Sequence, residues 1–341
     1  MQHGTVRKPL LEQNPGIILL SRDDVERLLA PDACIAAVEQ AFRALGEGKI
    51  PAPGILGLHA RDGNFHVKAA QLTLDRPYFA AKLNANFPQN GARHGLPTIQ
   101  GIVILCDAAN GTPLAIMDSI AITALRTAAA SAVAAKYLAR ERCDTLLICG
   151  CGGQAHAQVD ALLQVRHPAR IYAYDQDPQK ARAFAAALGA ELPVEAAPVT
   201  DLAAAVAASD LVVTCTTARR YFITREMVRP GTFIAAVGAD NEDKQEIDPR
   251  LMAQATVVTD LTEQACKIGD LHHAIQEGTM TRDKVHAELG EVVGGVKQGR
   301  VSADEIVIFD STGTGLQDVA AAIAAYRNAL GAGAGTQFAF T

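Results

Sequence analysis

Residues 145–155 read Thr-Leu-Leu-Ile-Cys-Gly-Cys-Gly-Gly-Gln-Ala, an apolar run that ends in a cluster of glycines. The apolar run predicts a buried strand, Gly150 permits a tight turn, and Gly152 lets the backbone approach a phosphate. A helix that begins near Gln154 directs its free N–H groups to the same place. The stretch therefore predicts the pyrophosphate-binding turn of a dinucleotide site.

A second strand follows at the distance that this interpretation requires. Residues 170–175 read Arg-Ile-Tyr-Ala-Tyr-Asp, so that an acid, Asp175, ends the strand. A carboxylate at this position accepts hydrogen bonds from the ribose hydroxyls of NAD and repels the 2′-phosphate of NADP. A glycine motif alone is weak evidence, but strand, turn, helix and acid together predict binding of NAD(H). NADP(H) is the alternative, and Arg219 and Arg220 are the residues that would favour it.

Composition argues against several classes of function. The chain has 341 residues, of which 49% are hydrophobic, and a formal net charge of −6 at pH 7. This charge, without basic runs, argues against a nucleic-acid partner, and charged residues interrupt the apolar stretches before they reach membrane-spanning length. The N-terminus lacks the apolar core of a secretion signal, and seven cysteines without a Cys-x-x-Cys pair are typical of a reducing compartment. We expect a cytoplasmic protein with no membrane partner and no metal site.

The first third of the chain predicts helices followed by an antiparallel sheet. A capping box that begins at Ser21 and a proline at Pro31 each open a helix. Short alternating apolar runs between residues 55 and 117, with a hairpin turn at 107–111, predict antiparallel strands. A long alanine-rich helix is expected at 122–138.

After residue 142 apolar strands alternate with helices. The strands are predicted at residues 145–149, 170–174, 211–215, 233–237, 255–259 and 306–309. Alternation of this kind is typical of a doubly wound parallel sheet. A final helix, 315–330, follows the last of these strands and is placed to cross back to the first part of the chain.

Three charged side chains lie in segments that otherwise suit a core. Lys82 lies in an apolar strand, Arg126 lies in a helix of small residues, and Asp240 follows the carboxyl end of a predicted strand, where open α/β sheets bind ligands. Buried lysine and arginine are uncommon unless they face an anion, because an unpaired charge in a low dielectric is costly. Lys82 and Arg126 therefore predict a carboxylate clamp. The alternative is a structural ion pair for each cation and a turn residue for Asp240.

These segments and the glycine turn resemble the ornithine cyclodeaminase and mu-crystallin family, from about residue 24 to residue 325. The shared motifs are Lys-x-x-x-x-Phe-Pro from Lys82, Thr-x-x-Arg-Thr-Ala-Ala from Thr123, Gly-x-Gly-x-Gln-Ala from Gly150, Val-Gly-x-Asp-x-x-x-Lys-x-Glu from Val237 and Asp-Ser-x-Gly from Asp310. The combination of the five motifs is specific to this family.

The resemblance implies a homodimer of two-domain subunits. Residues 1–125 and 316–341 are expected to form an α+β domain that binds substrate and supplies the subunit interface. Residues 126–315 are expected to form the dinucleotide-binding domain, inserted between those two parts. The predicted fold class is therefore α/β, with a Rossmann-type doubly wound parallel sheet inserted into a second α+β domain.

The motifs also imply roles for individual residues. Lys82 and Arg126 match contacts to the substrate carboxylate, Asp240 matches the catalytic acid/base, and Thr312 is a further candidate substrate contact. Other positions match contacts to the dinucleotide. These are Thr98, Arg126, Gly150, Gly152, Gly153, Gln154, Asp175, Thr216, Val237, Gly238, Lys244 and Ser311.

One departure from the family pattern concerns the substrate. The family places an arginine after a proline pair ahead of the sheet, whereas residues 51–55 here read Pro-Ala-Pro-Gly-Ile. Lys68 stands where many relatives have Met-Pro, and we expect it to replace the missing cation. The histidines His66, His94 and His156 are further candidates for the pocket, and Glu246 is expected to have a structural role.

The resemblance implies hydride transfer at the α-carbon of an amino or imino acid. The Lys68 context favours NAD(P)H-dependent reduction of a cyclic imino acid, Δ1-pyrroline-2-carboxylate or Δ1-piperideine-2-carboxylate, to proline or pipecolate. The alternatives are ornithine cyclodeamination to proline and ammonia, an amino-acid dehydrogenase such as alanine dehydrogenase, and a crystallin-like binding protein without turnover. The active sites for imino-acid reduction and for ornithine cyclodeamination differ in whether an acidic residue pairs with the distal ammonium of the substrate. The sequence does not position such a residue.

Overall fold

The N-terminal half of the chain forms a mixed sheet with helices packed on one face. The computed structural model describes residues 16–339, so the predicted lack of a secretion signal falls on residues outside this range. The elements are β1 (Ile17–Leu20), α1 (Arg22–Leu28), α2 (Pro31–Gly46), β2 (Gly54–Ala60), β3 (Gly63–Thr73), β4 (Pro77–Asn86), α3 (Asn90–His94), β5 (Ile99–Asp107), β6 (Pro113–Asp118) and α4 (Ser119–Leu138).

The second half alternates strands with helices. The elements are β7 (Thr145–Cys149), α5 (Ala155–Leu163), β8 (Arg170–Tyr174), α6 (Pro178–Glu191), β9 (Glu195–Pro198), α7 (Leu202–Ala208), β10 (Leu211–Thr214), β11 (Arg219–Ile223), β12 (Phe233–Ala236), β13 (Gln245–Ile247), α8 (Pro249–Met252), β14 (Thr256–Thr259), α9 (Thr262–Ile268), α10 (Asp270–Gln276), β15 (Ala287–Glu288), α11 (Leu289–Val293), β16 (Val307–Asp310), α12 (Gly315–Ala332) and β17 (Thr336–Phe338).

The first sheet has the strand order β17-β1-β6-β5-β4-β3-β2. Strands β2 to β6 pair antiparallel in sequence order, which confirms the predicted antiparallel sheet and the hairpin that joins β5 to β6. In the register of β3 and β4, Lys68 stands opposite Lys82. Side chains on one face of a sheet alternate with those on the other, so these two lysines share the face that carries the helices.

The second sheet is parallel throughout, with the order β15-β14-β16-β12-β10-β7-β8-β9. All six predicted strands are present, each within one residue of its expected ends. The chain runs outward from β7 to β9, and then restarts on the other side of β7 with β10. This reversal makes the sheet doubly wound and opens a crevice at the carboxyl ends of β7 and β10. The predicted α/β fold class is confirmed.

Helix α4 joins the two sheets. It packs against β5 of the first sheet and against β12 and β16 of the second, and most of its residues are buried. Alanine occupies half of its buried positions and lets the neighbouring elements approach closely, and the Asp118 carboxylate caps its first turn by accepting from Ile120 N and Ala121 N. The domain boundary predicted between residues 125 and 126 falls inside this helix, and the division into domains stays a prediction.

Helix α12 returns the chain to the first sheet, where it packs against β3, β4 and α2. Its side chains near the N-terminus, including Gln317 and Asp318, are therefore buried beneath the strands that carry Lys68 and Lys82. Among the helices of residues 16–339, none is long and apolar enough to cross a membrane.

Candidate active site

A cavity of about 470 Å³ lies between the first sheet, helix α4 and the carboxyl ends of the parallel strands. It brings together residues from β3, β4 and α4 with residues from the loops that follow β7, β10, β12 and β16. Most of the predicted site residues line it. They are Lys68, Lys82, Arg126, Gly152, Gly153, Gln154, Thr216, Val237, Gly238, Asp240, Lys244, Ser311 and Thr312.

Three predicted cofactor contacts, Thr98, Gly150 and Asp175, are not among the residues that line this cavity. Thr98 is exposed between Pro97 and Ile99, which do line it. Gly150 forms the base of the glycine turn, and Asp175 lies on the β8 side of that turn, whereas the cavity lies on the β10 side. The roles of all these residues stay predictions.

The predicted carboxylate clamp contains a buried acid of its own. The Lys82 ammonium donates to Asp318 Oδ1 at 2.9 Å and to Thr123 Oγ1 at 3.1 Å. The Arg126 guanidinium lies against the same carboxylate, with Nε 2.9 Å from Asp318 Oδ1, and donates from Nη1 to Gln317 Oε1 at 2.6 Å. The alternative considered from the sequence, a structural ion pair, is therefore part of the arrangement. Both cations also line the cavity.

Lys68 is buried with main-chain oxygens as its partners. Its ammonium donates to Thr312 O at 3.0 Å and to Gly313 O at 2.6 Å, so that β3 is tied to the loop after β16. No carboxylate lies within ion-pair distance of this ammonium among residues 16–339. One N–H of the ammonium is left for another partner, because an ammonium has three.

The charges around the clamp do not balance. Two cations, Lys82 and Arg126, share the single carboxylate of Asp318, whereas the nearby Lys68 ammonium is influenced by Asp240, Asp318 and Asp260. Burial lowers the pKa of Lys82 to about 7, and the Arg126 charge adds to this effect, while Asp318 opposes it. Burial raises the pKa of Asp318, but the adjacent cations outweigh it and hold that pKa below the usual range. The surplus positive charge suits the carboxylate of a small ligand.

Asp240 faces this cluster from the loop after β12. Its side chain is 54% exposed, and its Oδ1 accepts from the Lys244 ammonium at 2.7 Å. Partial burial raises the pKa of Asp240, but the charges of Lys244 and Lys68 outweigh it and keep the pKa below its usual range. Asp240 is therefore a carboxylate at neutral pH. It can accept a proton or stabilise a positive charge on a ligand.

The glycine turn has the geometry that a phosphate cradle needs. Gly150 has a φ of +96°, and a Cβ there would lie 2.9 Å from Cys215 O and from Thr216 Cγ2. Only glycine fits these two constraints without strain. The Asp175 carboxylate accepts from Cys151 N at 2.9 Å, which fixes the acid at the end of β8 against the turn.

The residues after the turn leave room and hydrogen-bonding capacity. Hypothetical Cβ atoms at Gly152 and Gly153 meet nothing within 4 Å. Gln154 Oε1 and Ser311 Oγ are buried without a hydrogen-bond partner among residues 16–339, and both residues line the cavity. Helix α5 begins directly after Gln154, so its first N–H groups face the same space. These residues fit a dinucleotide whose pyrophosphate lies over the turn.

Glu246 holds two strand ends together beneath the cavity. Its Oε1 accepts from Thr216 N at 2.7 Å and from Thr216 Oγ1 at 2.6 Å, and its Oε2 accepts from Thr214 Oγ1 at 2.7 Å and from Gly238 N at 2.8 Å. The expected structural role of Glu246 therefore has a definite form, since one side chain sets the spacing between the loops after β10 and β12.

The Thr312 hydroxyl is engaged within the protein. It donates to Asp260 Oδ1 at 2.8 Å and accepts from Gln264 Nε2 at 2.8 Å, while the Gly313 N–H donates to Asp260 Oδ2 at 2.6 Å. Direct substrate contact through this hydroxyl, as the sequence predicted, would have to compete with these bonds. The main-chain carbonyl of Thr312 accepts from the Lys68 ammonium.

Sequence analysis missed Asp318 and Gln317 as partners of the clamp. Both occur in the polar segment that begins at the end of β16, and the available signal was an acid within the first turn of an otherwise apolar helix. Among the histidine candidates His66 lines the cavity, whereas His94 lines a separate surface cavity near residues 61–62.

The comparisons with known proteins agree with this architecture. An archaeal alanine dehydrogenase dimer with bound NAD aligns with a TM-score of 0.91 at 37% identity, over 95% of this chain and 99% of that chain. Δ1-pyrroline-2-carboxylate reductase of Thermococcus litoralis, in complex with NADH and L-proline, aligns with a TM-score of 0.88 at 35% identity, over 94% and 100% of the two chains. Iminosuccinate reductase of Paracoccus denitrificans, in complex with NAD⁺, aligns with a TM-score of 0.88 at 32% identity, over 94% and 99%.

The amino-acid sequence also matches a model of one protein family. The model of the ornithine cyclodeaminase/mu-crystallin family matches residues 17–333, which is nearly the whole chain. Together with the cavity between the two sheets, this match confirms the resemblance that the motifs indicated. The chain belongs to the ornithine cyclodeaminase/mu-crystallin family.

Proposed function

We propose that this chain reduces a cyclic imino acid, Δ1-pyrroline-2-carboxylate or Δ1-piperideine-2-carboxylate, to proline or pipecolate, with NADH as the reductant. The broader class follows from the family, because the aligned family members include dehydrogenases and reductases with NAD or NADH bound. The chain is an NAD-dependent oxidoreductase that binds NAD(H). We propose the cyclic imino acid as the substrate, the roles of the individual site residues, and a cytoplasmic location. We also propose that residues 1–125 with 316–341 bind substrate and that residues 126–315 bind the dinucleotide.

One observation favours a cyclic imine over ornithine. Among the described residues that line the cavity, Asp240 is the only carboxylate, and cations surround it. Ornithine carries two ammonium groups, and the acid that serves the α-nitrogen cannot also pair with the distal one. A cyclic imine has a single nitrogen, so one carboxylate is sufficient. The charge inventory of the cavity therefore supports reduction over cyclodeamination.

The clamp would orient the substrate through its carboxylate. Lys82 and Arg126 have their Asp318 contacts on one side and the cavity on the other, so both are held in place before substrate arrives. Lys68 offers its remaining N–H from the neighbouring strand. When these groups hold the substrate carboxylate, the α-carbon of the substrate lies on the cofactor side of the cavity. Hydride transfer then takes place between two bound molecules and no longer requires an encounter in solution. NADH supplies the hydride when bound.

Asp240 would act at the substrate nitrogen. The carbon of a C=N bond accepts hydride readily only when its nitrogen is protonated, and a carboxylate beside that nitrogen stabilises the positive charge. Because Lys244 and Lys68 keep Asp240 ionised, it can serve this purpose at neutral pH. It also holds the proton on nitrogen while the α-carbon becomes tetrahedral.

The purified protein is expected to oxidise NADH with either cyclic imino acid and to form the cyclic amino acid without releasing ammonia. The physical reason is that the cyclic imine has one nitrogen to be paired and the described wall of the cavity has one carboxylate, Asp240, to pair with it. Absorbance of NADH, chromatography of the product and an ammonia assay measure the three quantities in one experiment. L-Ornithine and L-alanine with NAD⁺ are the comparison substrates.

Two results of this assay would contradict the proposal. Stoichiometric ammonia from L-ornithine, with no net change in NADH, would identify an ornithine cyclodeaminase. Turnover of L-alanine that exceeds that of the cyclic imines in kcat/KM would identify an amino-acid dehydrogenase, which the similarity to alanine dehydrogenase makes the second candidate.

The clamp predicts a pH dependence that one substitution removes. Lys82 carries its charge below its pKa of about 7 and loses it above, so carboxylate binding is strong at pH 6 and weakens as the pH rises through 7. We expect kcat/KM for the imino acid to fall about tenfold per pH unit above this point. The variant Lys82→Arg keeps its charge throughout the range and should lack this decline.

The wild type and Lys82→Arg are compared on the same imino acid. Titration of the imine affects both pH profiles equally, so any difference between the profiles comes from the protein. Binding of L-proline to the NAD⁺-loaded protein provides a second measurement, because the carboxylate of proline does not titrate between pH 6 and 9. Parallel pH profiles for the wild type and Lys82→Arg would show that Lys82 does not anchor the carboxylate.

Cofactor choice follows from the end of β8. The Asp175 carboxylate is held against the glycine turn by Cys151 N, and Arg219 is engaged with Asp243 at 3.6 Å. Repulsion between Asp175 and a 2′-phosphate is worth about 1–3 kcal/mol, so NADH should have a KM at least about tenfold below that of NADPH. Asp175→Ser should narrow this ratio. An unchanged ratio in the variant would assign the preference to other residues.

We further propose that the chain forms a homodimer through the outer face of the first sheet. The face opposite the clamp lysines exposes large apolar side chains that are 37–57% exposed. They are Leu56, Leu58, Phe65, Phe79, Leu83 and Ile102. A contiguous apolar patch of this kind marks a protein interface, and the aligned alanine dehydrogenase is a dimer.

Light scattering should therefore give a mass of two chains for the wild type. Leu83→Asp places a charge at the centre of this face and should shift the mass toward one chain, since burying an unpaired carboxylate is unfavourable. Val296→Asp is a matched control, because Val296 is an exposed apolar residue away from the sheet. A monomeric wild type, or a dimer that tolerates Leu83→Asp, would exclude this interface.

A further inference from the structure

The main chain of Thr312 and Gly313, here called the 312–313 segment, contacts both the Lys68 ammonium and the Arg126 guanidinium. The ammonium donates to the two carbonyl oxygens of the segment, at 3.0 Å and 2.6 Å. Gly313 has a φ of +71°, and a Cβ there would lie 2.5 Å from Arg126 Nη1. The position therefore requires glycine, and the segment limits the space that the two cationic side chains can occupy.

Asp260, the residue directly after β14, holds this segment in place. Its side chain is fully buried and is not among the residues that line the cavity. Asp260 Oδ1 accepts from the Thr312 hydroxyl at 2.8 Å and from Leu261 N at 2.9 Å, and Oδ2 accepts from Gly313 N at 2.6 Å. Asp260 thus fixes the two residues whose carbonyls bind Lys68, without facing a ligand in the cavity itself.

The same carboxylate is connected to Arg126 through Gln317. Gln317 Nε2 donates to Asp260 Oδ2 at 3.4 Å, and Gln317 Oε1 accepts from Arg126 Nη1 at 2.6 Å. A guanidinium only donates, so the amide must turn its oxygen to Arg126 and its nitrogen to Asp260. Burial raises the pKa of Asp260, and the hydrogen bonds from Thr312 and Gly313 oppose that shift. Each oxygen of Asp260 accepts from two donors, which suits the deprotonated carboxylate.

The cofactor side of the same loop has a separate anchor. Ser311, the predicted dinucleotide contact in this loop, donates from its main-chain N–H to Ala236 O at 2.9 Å, which continues the pairing of β16 with β12. Asp260 takes no part in this bond. A change at Asp260 should therefore disturb the groups that hold the substrate carboxylate and leave the dinucleotide contact in place.

We propose that Asp260 is a positioning residue for the substrate carboxylate, because it sets the places of Lys68 and Arg126 through the 312–313 segment and Gln317. This inference rests on the carboxylate clamp of the proposed function, but not on which amino or imino acid the clamp holds. Asp260 acts before the ligand arrives. With both cations already held in place, binding of the carboxylate does not have to order them, and less affinity is lost to conformational entropy.

The test compares the affinities of the NAD⁺-loaded protein for L-proline and for L-prolinamide, measured by calorimetry. The amide has no negative charge to pair with the cations, so the wild type should bind L-proline about 100-fold more tightly. Asp260→Asn leaves one acceptor oxygen and directs an NH2 group at two donors, so Lys68 and Arg126 lose their fixed positions. The ratio of the two affinities should fall about tenfold, while the affinity for NADH should change by less than about threefold.

Asp248→Asn is the matched control. Asp248 is also a buried carboxylate that accepts from a main-chain N–H, that of Arg250 at 2.9 Å, and it does not line the cavity. This variant should keep the wild-type ratio. Gln317→Met removes the bond to Arg126 and retains the length of the side chain. It should also lower the ratio, and it serves as the test if Asp260→Asn does not fold.

Three results would overturn the inference and leave the proposed function intact. The first is a wild-type ratio in Asp260→Asn, and the second is a ratio that falls as far in Asp248→Asn. The third is an equal loss of affinity for L-proline, L-prolinamide and NADH, which would show that Asp260 only supports the fold.

The proposed function fails separately, if the wild type reduces no cyclic imine. L-Alanine and L-alaninamide then replace the proline pair in the same measurement. If the wild type binds neither carboxylate more tightly than its amide, there is no carboxylate clamp, and the role of Asp260 is excluded with it.

Discussion

The buried carboxylate of Asp318 is the interaction on which the site depends. It lies within 2.9 Å of both the Lys82 ammonium and the Arg126 guanidinium, and these three residues come from α12, β4 and α4. Removing one partner of a buried ion pair costs about 3–5 kcal/mol, because the other charge is left without compensation. The acid thus makes it possible for two cations to stay buried and ordered beside a cavity. It neutralises only one of them, and the remaining charge is available to an anionic ligand.

The same network joins the two halves of the molecule. Gln317, next to Asp318, accepts from Arg126, and Lys68 donates to the carbonyls of Thr312 and Gly313 in the loop after β16. The groups that would hold the substrate are therefore bonded to the loop that lines the dinucleotide side of the cavity. These hydrogen bonds keep the predicted carboxylate clamp in a fixed position relative to the proposed cofactor crevice.

Much of the fold could be predicted from local patterns. Six of the eight strands of the parallel sheet lie within one residue of their predicted ends, because short apolar runs bounded by turns leave few alternatives, whereas β9 and β15 were not predicted. Lys82, Arg126 and Asp240 were also predicted as site residues and line the cavity, since a charge in an apolar segment, or at the end of a parallel strand, stands out in a single sequence. Asp318 was not, because an acid in the first turn of a helix is equally typical of a capping or surface residue.

What the sequence determined by itself is the α/β architecture, the glycine turn with Asp175 after it, and the family, since each of these depends on residues close together in the chain. Only the tertiary structure decided which distant side chains meet. Lys82 and Asp318 are 236 residues apart, and neither position carries information about the other until α12 packs beneath β4. The absence of a second carboxylate from the described wall of the cavity is likewise a property of packing. It arises where strands and helices converge, which no local pattern specifies.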